Sequence, residues 1–567
     1  MYDFKNIYNL KKEEKNMKSK SVLLILPCSI QKQASEISLA GMEHLGLGYL
    51  KSYLVSHGYN ATIINFELIN YLRMSSYLKS QTDDEYLLEM VKNEEPVLIG
   101  ISTTLMTIKE SVRISRYLKK HFPKIPICFG GPHASVCYED ILKNVESVDY
   151  ISVGYGEISM LKLVKFLHSQ SDLRDIPNLI YRSGSGIIAN KLSSFKQEEI
   201  NNLPFPSRDD LRLMTKYHST NEARLSTSRG CTGRCTFCCD PAINPERKWV
   251  SRTAEDIVSE IEYLNTTYNI NYFWINDDNF IPPTDEGRQR AKKVAQEIIK
   301  KNIKIKFRGL FRSDTFHKKD DLLPLLKESG LSIAFVGFES GSQAKLKRFN
   351  KQVKVEQHYT IVEELKKNNI ALQIGFIMFD PFTSFDDLRD DSKFLRDIGE
   401  MYLFTNFVQI MDVFPKTHIV KMMIKQGLLK HEPGYESDYR DYKFLDSRVE
   451  KMAKYLNSLY KEKIINIDKN LQRLKIVSFP KIYDSMDEDY KIYIQNKVDK
   501  LYNNINTMNY NIFSYISTAF EKNNVCYEEF NKLIESGINH NIQQLNELDN
   551  IYIKEKKINF SATKFYA

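Results

Sequence analysis

Short apolar runs alternate with stretches of helical periodicity through the first third of the chain. Such an alternation predicts a parallel sheet with helices on both faces. The predicted strands are Val22–Leu26, Ala61–Phe66, Val97–Ser102, Ile125–Phe129 and Tyr150–Val153. The predicted helices between them include Leu45–His57, Ile108–His121 and Ile158–Leu167. We therefore expect an α/β, doubly wound parallel-sheet domain over residues 21–170, after an N-terminal extension over residues 1–20.

A second alternation of strand and helix patterns begins near Arg224 and defines a domain over residues 223–429. Thr253 is predicted to cap the first helix of this domain, and the acidic Glu255 and Asp256 suit the positive end of the helix dipole. Six βα units are too few for a closed eight-stranded barrel. The six predicted strands are Arg224–Thr227, Tyr272–Asn276, Ile305–Gly309, Ile333–Phe338, Leu372–Phe379 and Phe407–Val413.

The segments beside these two domains carry weaker patterns. Residues 171–222 are interpreted as a connector, in which Leu179–Arg182 and Ile187–Lys191 form a hairpin around Ser-Gly-Ser-Gly. Residues 430–567 show helical patterns without a recognisable motif. We expect a helical C-terminal domain that covers the open side of the barrel and helps to form the substrate pocket.

The composition is that of a globular protein with several domains, at 567 residues, 42% apolar and 27% charged. The net charge of +8, from 80 basic and 72 acidic residues, is too mild to predict a nucleic-acid partner. No apolar run reaches the roughly 18 residues that a membrane span needs, so we expect no membrane span. Eight cysteines, three of them in a metal-like array, favour a reducing compartment and hence a cytoplasmic protein.

Three cysteines form the most specific motif of the chain. Cys231, Cys235 and Cys238 stand in a Cys-x3-Cys-x2-Cys array on a loop with two glycines. Thiolates are soft ligands that suit iron–sulfur clusters, zinc or copper(I). A structural zinc site would need a fourth ligand, for which the adjacent Cys239 is badly placed, and a ferredoxin site would need a fourth cysteine at ferredoxin spacing. Three thiolates on a four-iron cluster leave one iron open, and we predict such a cluster.

Small and polar residues follow three neighbouring strands of the first domain. Glycines there allow a large flat ligand to approach the backbone, and hydroxyl groups can bind its tail. Parallel sheets bind ligands at the carboxyl ends of their strands. Ordinary turn chemistry is the alternative interpretation. The residues concerned are Ser102, Thr103, Gly130, Gly131, Gly154, Gly156 and Glu157.

Charged side chains likewise follow the predicted strands of the second domain. Asp277 and Asp278 follow its second strand, Arg312 follows its third, and Glu339 and Ser340 follow its fourth. Barrel enzymes keep their chemistry at this edge. A carboxylate there can accept hydrogen bonds from a ribose or an amino group, and an arginine can pair with a carboxylate. A merely solvated charge is the competing interpretation.

The cysteine loop resembles the cluster loop of the radical S-adenosylmethionine (SAM) enzymes. Phe237 matches the aromatic residue that packs on the adenine of SAM in that family, and Glu339 and Ser340 lie in a Gly-Phe-Glu-Ser-Gly segment similar to its strand-four SAM contact. Arg312 would pair with the SAM carboxylate. The resemblance implies a partial (β/α)6 barrel, a 4Fe–4S cluster held by the three cysteines, and bound SAM.

The first domain looks like the cobalamin-binding domain of the cobalamin-dependent radical SAM enzymes. Its glycine-rich strand ends carry the resemblance, together with Gly46-Leu47-Gly48-Tyr49-Leu50. No Asp-x-His-x-x-Gly segment is present, so we expect no histidine as lower cobalt ligand, and His44 and His133 are interpreted as structural. Phe-Asp-Pro-Phe-Thr at residues 379–383 departs from the commoner Leu-Pro-Gly-x-Thr of the family.

The resemblance implies an enzyme that methylates an unactivated centre of a natural product, peptide or lipid through methylcobalamin and a 5′-deoxyadenosyl radical. A radical SAM rearrangement, cyclisation or deoxygenation without methyl transfer is the first alternative. A non-catalytic cobalamin sensor or iron–sulfur electron carrier is the second, and the open three-cysteine array argues against it. The expected partners are a small-molecule, peptide or lipid substrate and a reductant such as flavodoxin or ferredoxin.

Overall fold

A seven-stranded sheet forms the centre of the first domain. The computed structural model describes residues 21–28, 43–78, 81–168, 172–184, 186–218, 220–473, 475 and 488–556. The strands run in the order β2-β1-β3-β4-β5-β6-β7, and the first five are parallel. This is the flavodoxin-like order, whose ligand site lies where the order reverses, between β1 and β3. The strands are β1 Ser21–Leu26, β2 Asn60–Asn65, β3 Leu98–Ser102, β4 Ile127–Gly130, β5 Tyr150–Ser152, β6 Leu179–Ser183 and β7 Gly186–Ala189.

Helices cover both faces of this sheet, and β1 and β3 are accordingly buried at every position and apolar or small apart from one serine each, Ser21 and Ser102. The doubly wound fold predicted from the sequence is confirmed. The predicted hairpin forms β6 and β7: β6 pairs antiparallel with β5, β7 pairs antiparallel with β6, and the two strands extend the first sheet. The helices are α1 Leu45–Ser56, α2 Phe66–Met74, α3 Asp83–Glu94, α4 Ile108–His121, α5 Pro132–Asn144, α6 Glu157–Leu167, α7 Gln197–Asn201 and α8 Asp209–His218.

The second domain contains a five-stranded parallel sheet in the order β14-β13-β12-β11-β8. Its strands are β8 Glu222–Leu225, β11 Tyr272–Ile275, β12 Lys306–Arg312, β13 Leu331–Glu339 and β14 Ala371–Phe376. Two short strands, β9 Ser228–Arg229 and β10 Val250–Ser251, pair antiparallel beside the cysteine loop. The sheet and its helices share one continuous apolar core.

The sixth barrel strand, predicted at Phe407–Val413, is wrong in detail. Thr405–Val408 form a short helix, and only Ile410 bridges to Phe379 in parallel. Phe407 and Val408 are apolar because they are buried in the barrel core, and burial alone does not distinguish a strand from a short helix.

The barrel helices lie between successive strands and outside the sheet. Thr253 caps α10 as predicted, since its side chain accepts a hydrogen bond from the Asp256 N–H at 3.2 Å. The barrel helices are α9 Asp240–Ile243, α10 Ala254–Tyr268, α11 Asp285–Lys300, α12 Leu322–Glu328, α13 Gln343–Arg348, α14 Val355–Lys367, α15 Phe385–Ile398, α16 Thr405–Val408 and α17 His418–Lys425.

The C-terminal region is helical, as predicted, and packs on the outside of the barrel. Its helices are α18 Ser447–Leu459, α19 Ile465–Arg473, α20 Glu488–Glu521 and α21 Tyr527–Lys556. Helix α20 packs against α15 and α18, and its Asn509 side chain donates to the Met401 carbonyl at 2.8 Å. Phe513 and Phe520 join the barrel core. These helices therefore buttress the barrel wall.

A segment after the barrel returns to the first domain and fixes the two domains together. Tyr435 and Tyr439 are buried in the core of the first domain. Cys137 Sγ lies 3.2 Å from the Tyr439 hydroxyl, and Asp140 accepts a hydrogen bond from the Tyr435 N–H at 2.8 Å. Across the described ranges, no helix combines the length and the apolar character that a membrane crossing requires.

Candidate active site

The cysteine loop starts directly after the first barrel strand and is anchored by Asp277. The Asp277 carboxylate accepts hydrogen bonds from the Thr227 N–H at 2.7 Å and from the Ser228 hydroxyl at 2.7 Å. Asp277 is only 1% exposed, so its carboxylate is committed to the loop. This candidate contact to SAM is therefore placed as a structural anchor of the cluster loop.

The thiols of Cys231, Cys235 and Cys238 are free and half-buried on this loop. The Gly233 N–H donates to Cys231 Sγ at 3.3 Å, and the Asp240 N–H donates to Cys238 Sγ at 3.4 Å. Burial raises the pKa of all three thiols, so a bound cation is needed to hold them as thiolates at neutral pH.

The donor chemistry fits an iron–sulfur cluster, while the geometry is not that of a preformed cage for one ion. In the described part of the chain, no group of three Cys, His, Asp or Glu side chains is close enough to hold a metal ion. The fit rests on three thiols on one loop, two of them already accepting backbone N–H bonds of the kind that tune cluster sulfurs.

Two neighbours of the cysteine array face apolar surroundings. The Phe237 ring packs edge-on against Phe349, with 5.1 Å between ring centroids and 72° between the ring planes. Cys239 packs against the core of the first domain, and burial raises the pKa of its thiol. Cys239 therefore has the environment of a small apolar residue.

Glu339 has the most unusual backbone at the barrel mouth. Its φ is +66° at a bulge in β13, a conformation that costs energy outside glycine and that clusters at functional sites. Lys351 Nζ donates to Glu339 Oε1 at 2.8 Å, whereas no described residue donates to Oε2. A Cβ on Gly337 would lie 2.7 Å from Oε1, so this glycine lets the carboxylate fold back over the strand. One carboxylate oxygen thus stays available to a ligand.

Arg312 and Ser340 differ in burial and in what their hydrogen bonds do. Arg312 is held by both carboxylate oxygens of Asp314, at 2.9 and 3.0 Å, and by the Lys351 carbonyl at 2.8 Å. Ser340 is fully buried, and its hydroxyl donates to Asp391 at 2.5 Å. Arg312 is therefore oriented beside the cluster loop, while Ser340 serves the packing of β13 against α15.

A cavity of about 230 Å³ lies at the carboxyl edge of the first sheet. It combines predicted cobalamin contacts with three residues of the second domain, so both domains border one space. The predicted contacts that line it are Ser102, Gly130, Gly131, Gly154, Gly156 and Glu157. The residues from the second domain are Ser226, Arg229 and Asn276.

The cavity fits a ligand that approaches bare backbone. A Cβ on Gly130 would meet only the Ser152 carbonyl at 3.8 Å, so the end of β4 is open. Gly131 has φ +90°, and a Cβ there would lie 2.6 Å from the Thr103 carbonyl. Pockets for drug-sized ligands usually enclose about 300–1,000 Å³. The present cavity therefore takes only part of a corrinoid, and the rest of the ligand needs space beside it.

Two predicted cobalamin contacts form hydrogen bonds with other residues of the protein. Thr103 Oγ1 donates to the Gly130 carbonyl at 2.9 Å and accepts from the Ala134 N–H at 2.8 Å. Glu157 accepts two hydrogen bonds from Arg229, at 2.6 and 2.9 Å, and both side chains are buried. Glu157 thus ties the first domain to the cluster loop, two residues before Cys231.

Comparison with known proteins agrees with this arrangement of two domains. Residues 225–395 match the radical SAM superfamily, and residues 40–164 match the B12 binding domain. This chain belongs to the cobalamin-dependent radical SAM family. The family carries a 4Fe–4S cluster, SAM and cobalamin, and the predicted family, fold class and cofactors are confirmed.

The names of the relatives describe different reactions. An uncharacterized methyltransferase of Pyrococcus horikoshii is 25% identical over 416 residues, covering 73% of this chain and 85% of that protein. The anaerobic magnesium-protoporphyrin IX monomethyl ester cyclase of Synechocystis sp. is 24% identical over 387 residues, covering 68% and 72%. The structure of the cobalamin-dependent SAM radical enzyme OxsB, with aqua-cobalamin and SAM bound, has a TM-score of 0.72 at 19% identity, over 96% of this chain and 82% of that one. This last likeness shows a shared fold.

Two histidines of the first domain of this radical SAM protein, His44 and His133, have structural partners. His44 Nδ1 accepts from the Leu47 N–H at 3.0 Å, so Nε2 carries the proton and donates to the Ser102 hydroxyl at 3.2 Å. Burial lowers the pKa of His44 to about 4, which keeps the ring neutral. His133 Nε2 donates to the Tyr435 carbonyl at 2.9 Å. Neither Nε2 is free to bind cobalt.

Sequence reasoning missed three side chains of the site. Lys351, which follows α13 in the chain, pairs with Glu339, and Arg229 pairs with Glu157 across the domain junction. The Tyr155 hydroxyl donates to Asp278 at 3.2 Å and accepts from the Gly230 N–H at 3.0 Å. Of these three, Arg229 alone lies next to the cysteine motif, two residues before Cys231.

Proposed function

We propose that this radical SAM protein methylates an unactivated centre of a small-molecule, peptide or lipid substrate. The observation that supports it is the cavity bordered by both domains, which is lined by Ser102 and Gly131 of the first domain and by Ser226 and Asn276 of the second. A shared space allows one substrate to meet the chemistry of both cofactors. The methyltransferase name of the relative from Pyrococcus horikoshii points in the same direction.

Each cofactor has its own set of residues in this proposal. Cys231, Cys235 and Cys238 hold the cluster. Phe237, Arg312, Glu339 and Ser340 form the SAM side, Ser340 through the packing of β13. The crevice with Ser102, Thr103, Gly130, Gly131, Gly154, Gly156 and Glu157 takes cobalamin, Thr103 and Glu157 by shaping its walls. When bound, cluster and SAM supply a carbon radical, and cobalamin supplies the methyl group.

The protein's own side chains contribute orientation and charge. Lys351 fixes one oxygen of Glu339, so the other can accept a hydrogen bond from the ribose or amino group of SAM. Although burial lowers the pKa of Lys351, the Glu339 and Cys235 charges raise it overall, so the ammonium persists. Two hydrogen bonds to Asp314 fix the orientation of the Arg312 guanidinium, which can then pair with the SAM carboxylate.

The surroundings of the site complete the proposal. The domain boundaries are those given by the sequence: residues 21–170, 171–222, 223–429 and 430–567, after the N-terminal extension. All eight cysteines lie in the described part of the chain and none of them forms a disulfide, which supports a cytoplasmic location. A flavodoxin or ferredoxin supplies electrons.

Cyclisation or another rearrangement without methyl transfer is the second candidate. The cyclase of Synechocystis sp. aligns over 68% of this chain, so the same pair of domains is found in a protein with that activity in its name. The lining of the shared cavity does not distinguish the two reactions, because both need a substrate between the same cofactors.

The test uses SAM with a deuterated methyl group and the anaerobically reconstituted enzyme. Incubation with a metabolite extract of the source cells should yield a product that gains three deuteriums. S-adenosylhomocysteine and 5′-deoxyadenosine should accumulate in roughly equal amounts, because one SAM donates the methyl group and another the radical. Cys235→Ala, which removes a cluster ligand, is the inactive control. A product of unchanged carbon count beside 5′-deoxyadenosine would favour the second candidate.

A further inference from the structure

A second and larger cavity, of about 860 Å³, lies on the outer side of the cluster loop. Six of its described lining residues are Lys or Arg and none is Asp or Glu, although the whole chain has nearly balanced charge, 80 against 72. We call it the basic cavity. Its basic residues are Arg234, Arg247, Lys347, Arg348, Lys416 and Lys421.

Most of this positive charge is not neutralised by the protein. Arg348 pairs with Asp380 and Asp387 at 3.3 and 3.0 Å, and Lys416 lies 3.4 Å from Glu139. Within the described ranges, the remaining four basic residues form no ion pair with a carboxylate. Four charges of one sign in one concavity produce a field that attracts an acidic partner from solution.

The basic cavity lies directly against the cluster site. Cys235 and Cys238 line it, whereas Glu339 and Arg312 do not. Hydrogen bonds fix the loop to both walls: the Thr236 N–H donates to the Phe349 carbonyl and the Ile419 N–H to the Thr236 carbonyl, each at 2.9 Å. The cavity therefore gives a route to the cluster thiols that is separate from the SAM side.

We propose that the basic cavity is the docking site of an acidic one-electron carrier protein with a flavin or an iron–sulfur centre. The proposal rests on the proposed radical SAM function, which needs one electron. On docking, the carrier is oxidised by one electron and the cluster is reduced by one, and no atom or proton is transferred.

The side chains favour a protein over a small anion. Arg234, Lys347 and Lys421 are exposed and project from three separate elements: the cluster loop, α13 and α17. Built anion sites use buried donors in fixed positions, whereas mobile charges on a rim steer transient protein complexes. Electron-transfer complexes are small and short-lived, and a charged concavity of this size suits them.

The experiment uses the full-length reconstituted enzyme and a purified acidic bacterial flavodoxin. Binding is measured by calorimetry at low and at physiological salt, and cluster reduction is followed by visible absorbance. Wild type should bind flavodoxin, and more weakly as salt rises. The variant Lys347→Glu/Lys421→Glu should bind about tenfold more weakly and be reduced more slowly by flavodoxin.

Controls separate docking from damage to the cluster. Lys300→Glu/Lys451→Glu makes the same charge change on α11 and α18 and should bind flavodoxin as wild type does. Reduction by dithionite and 5′-deoxyadenosine formation with dithionite should be unchanged in both variants, since a small reductant needs no docking site. Failure of that dithionite reaction in wild type would count against the radical SAM function and not against docking.

Several results would overturn the proposal. One is flavodoxin binding by Lys347→Glu/Lys421→Glu at wild-type strength. Another is loss of dithionite reduction in the milder Lys347→Gln/Lys421→Gln, which would make the cavity part of the cluster site. A third is tight binding of inorganic phosphate or of an oligonucleotide to wild type while flavodoxin and ferredoxin do not bind.

Discussion

Among single residues, the acidic side chains at the barrel mouth differ in whether a carboxylate oxygen remains available to a ligand. The Asp277 carboxylate accepts hydrogen bonds from the start of the cluster loop. Glu339 accepts one from Lys351 through a single oxygen, and its other oxygen remains available to a ligand. Its left-handed backbone adds a cost of about 1–3 kcal/mol that packing alone does not require. Glu339 is therefore the acidic residue best suited to a SAM contact.

Replacing Glu339 by Ala should weaken SAM binding by one to two decades. The variant loses one charge-assisted hydrogen bond, worth roughly 1.5–3 kcal/mol. Equilibrium dialysis with SAM on cluster-loaded protein measures the affinity, and the iron content verifies the cluster. Glu356→Ala, an exposed change on α14, serves as the control. SAM affinity equal to wild type with an intact cluster would refute the role.

Individual residue roles were predictable where a motif fixes chemistry locally. For the three cysteines the proposed role rests on their spacing, and it stays a prediction. Ser340 and Thr103 follow strands, as ligand-binding residues do. Their hydroxyl groups nevertheless donate to groups inside the protein, Ser340 to Asp391 and Thr103 to the Gly130 carbonyl. Partners so far apart in sequence carry no local signal, so their burial could not be predicted.

At the level of secondary-structure elements, the strands of the first sheet and residues 405–413 of the barrel show how far hydrophobicity alone predicts a strand. The first sheet was predictable because its strands are short, mostly apolar and separated by helices. The last apolar run of the barrel satisfies the same rule but forms α16 and one bridge. The deciding contact is Asp468 of α19, which accepts hydrogen bonds from the Phe404 and Thr405 N–H groups at 3.1 and 2.7 Å.

Asp468 should make the packing of α19 on this turn dependent on pH. Burial raises the pKa of Asp468 to about 7, well above the value near 4 of the unfolded chain. Between those values the unfolded state releases a proton that the folded state keeps, so stability falls as pH rises from about 4 to 7. Asp468→Asn removes this titration, and its stability relative to wild type should rise from pH 5 to pH 8.

Urea unfolding of both proteins at the two pH values measures the effect. The exposed Asp499→Asn on α20 should show no such pH-dependent difference from wild type. Parallel pH profiles for Asp468→Asn and wild type would contradict the raised pKa.

In the whole molecule, buried ion pairs join the two cofactor domains. Arg208 donates to Glu43 of the first domain at 2.6 Å and to Glu260 of the second at 2.5 Å. Arg229 links the cluster loop to Glu157 of the cobalamin crevice. The sequence predicted both domains but not this junction, because its partners lie far apart along the chain. The cofactor sites are thus held in register by charges that neither motif contains.

The Glu157–Arg229 pair offers a test of that junction. The Arg229 guanidinium is 5% exposed and lies 4.5 Å from the rings of Tyr155 and Phe195, so bulk solvent has little access to compensate for a lost carboxylate. Glu157→Ala should therefore cost about 3–5 kcal/mol, the penalty of an unpaired buried charge. It should also reduce cobalamin retention, because Glu157 lines the crevice.

Adding Arg229→Met to Glu157→Ala separates charge from packing. The double variant removes the unpaired charge and keeps an apolar side chain among the same rings, so much of the lost stability should return. The midpoint of urea unfolding of the cofactor-free protein measures stability, and the visible spectrum after desalting measures retained cobalamin. Asp172→Ala, which breaks an exposed pair with Arg174, should leave both unchanged. If Glu157→Ala unfolds at the wild-type midpoint, or the double variant is no more stable than the single one, the pair does not hold the domains together.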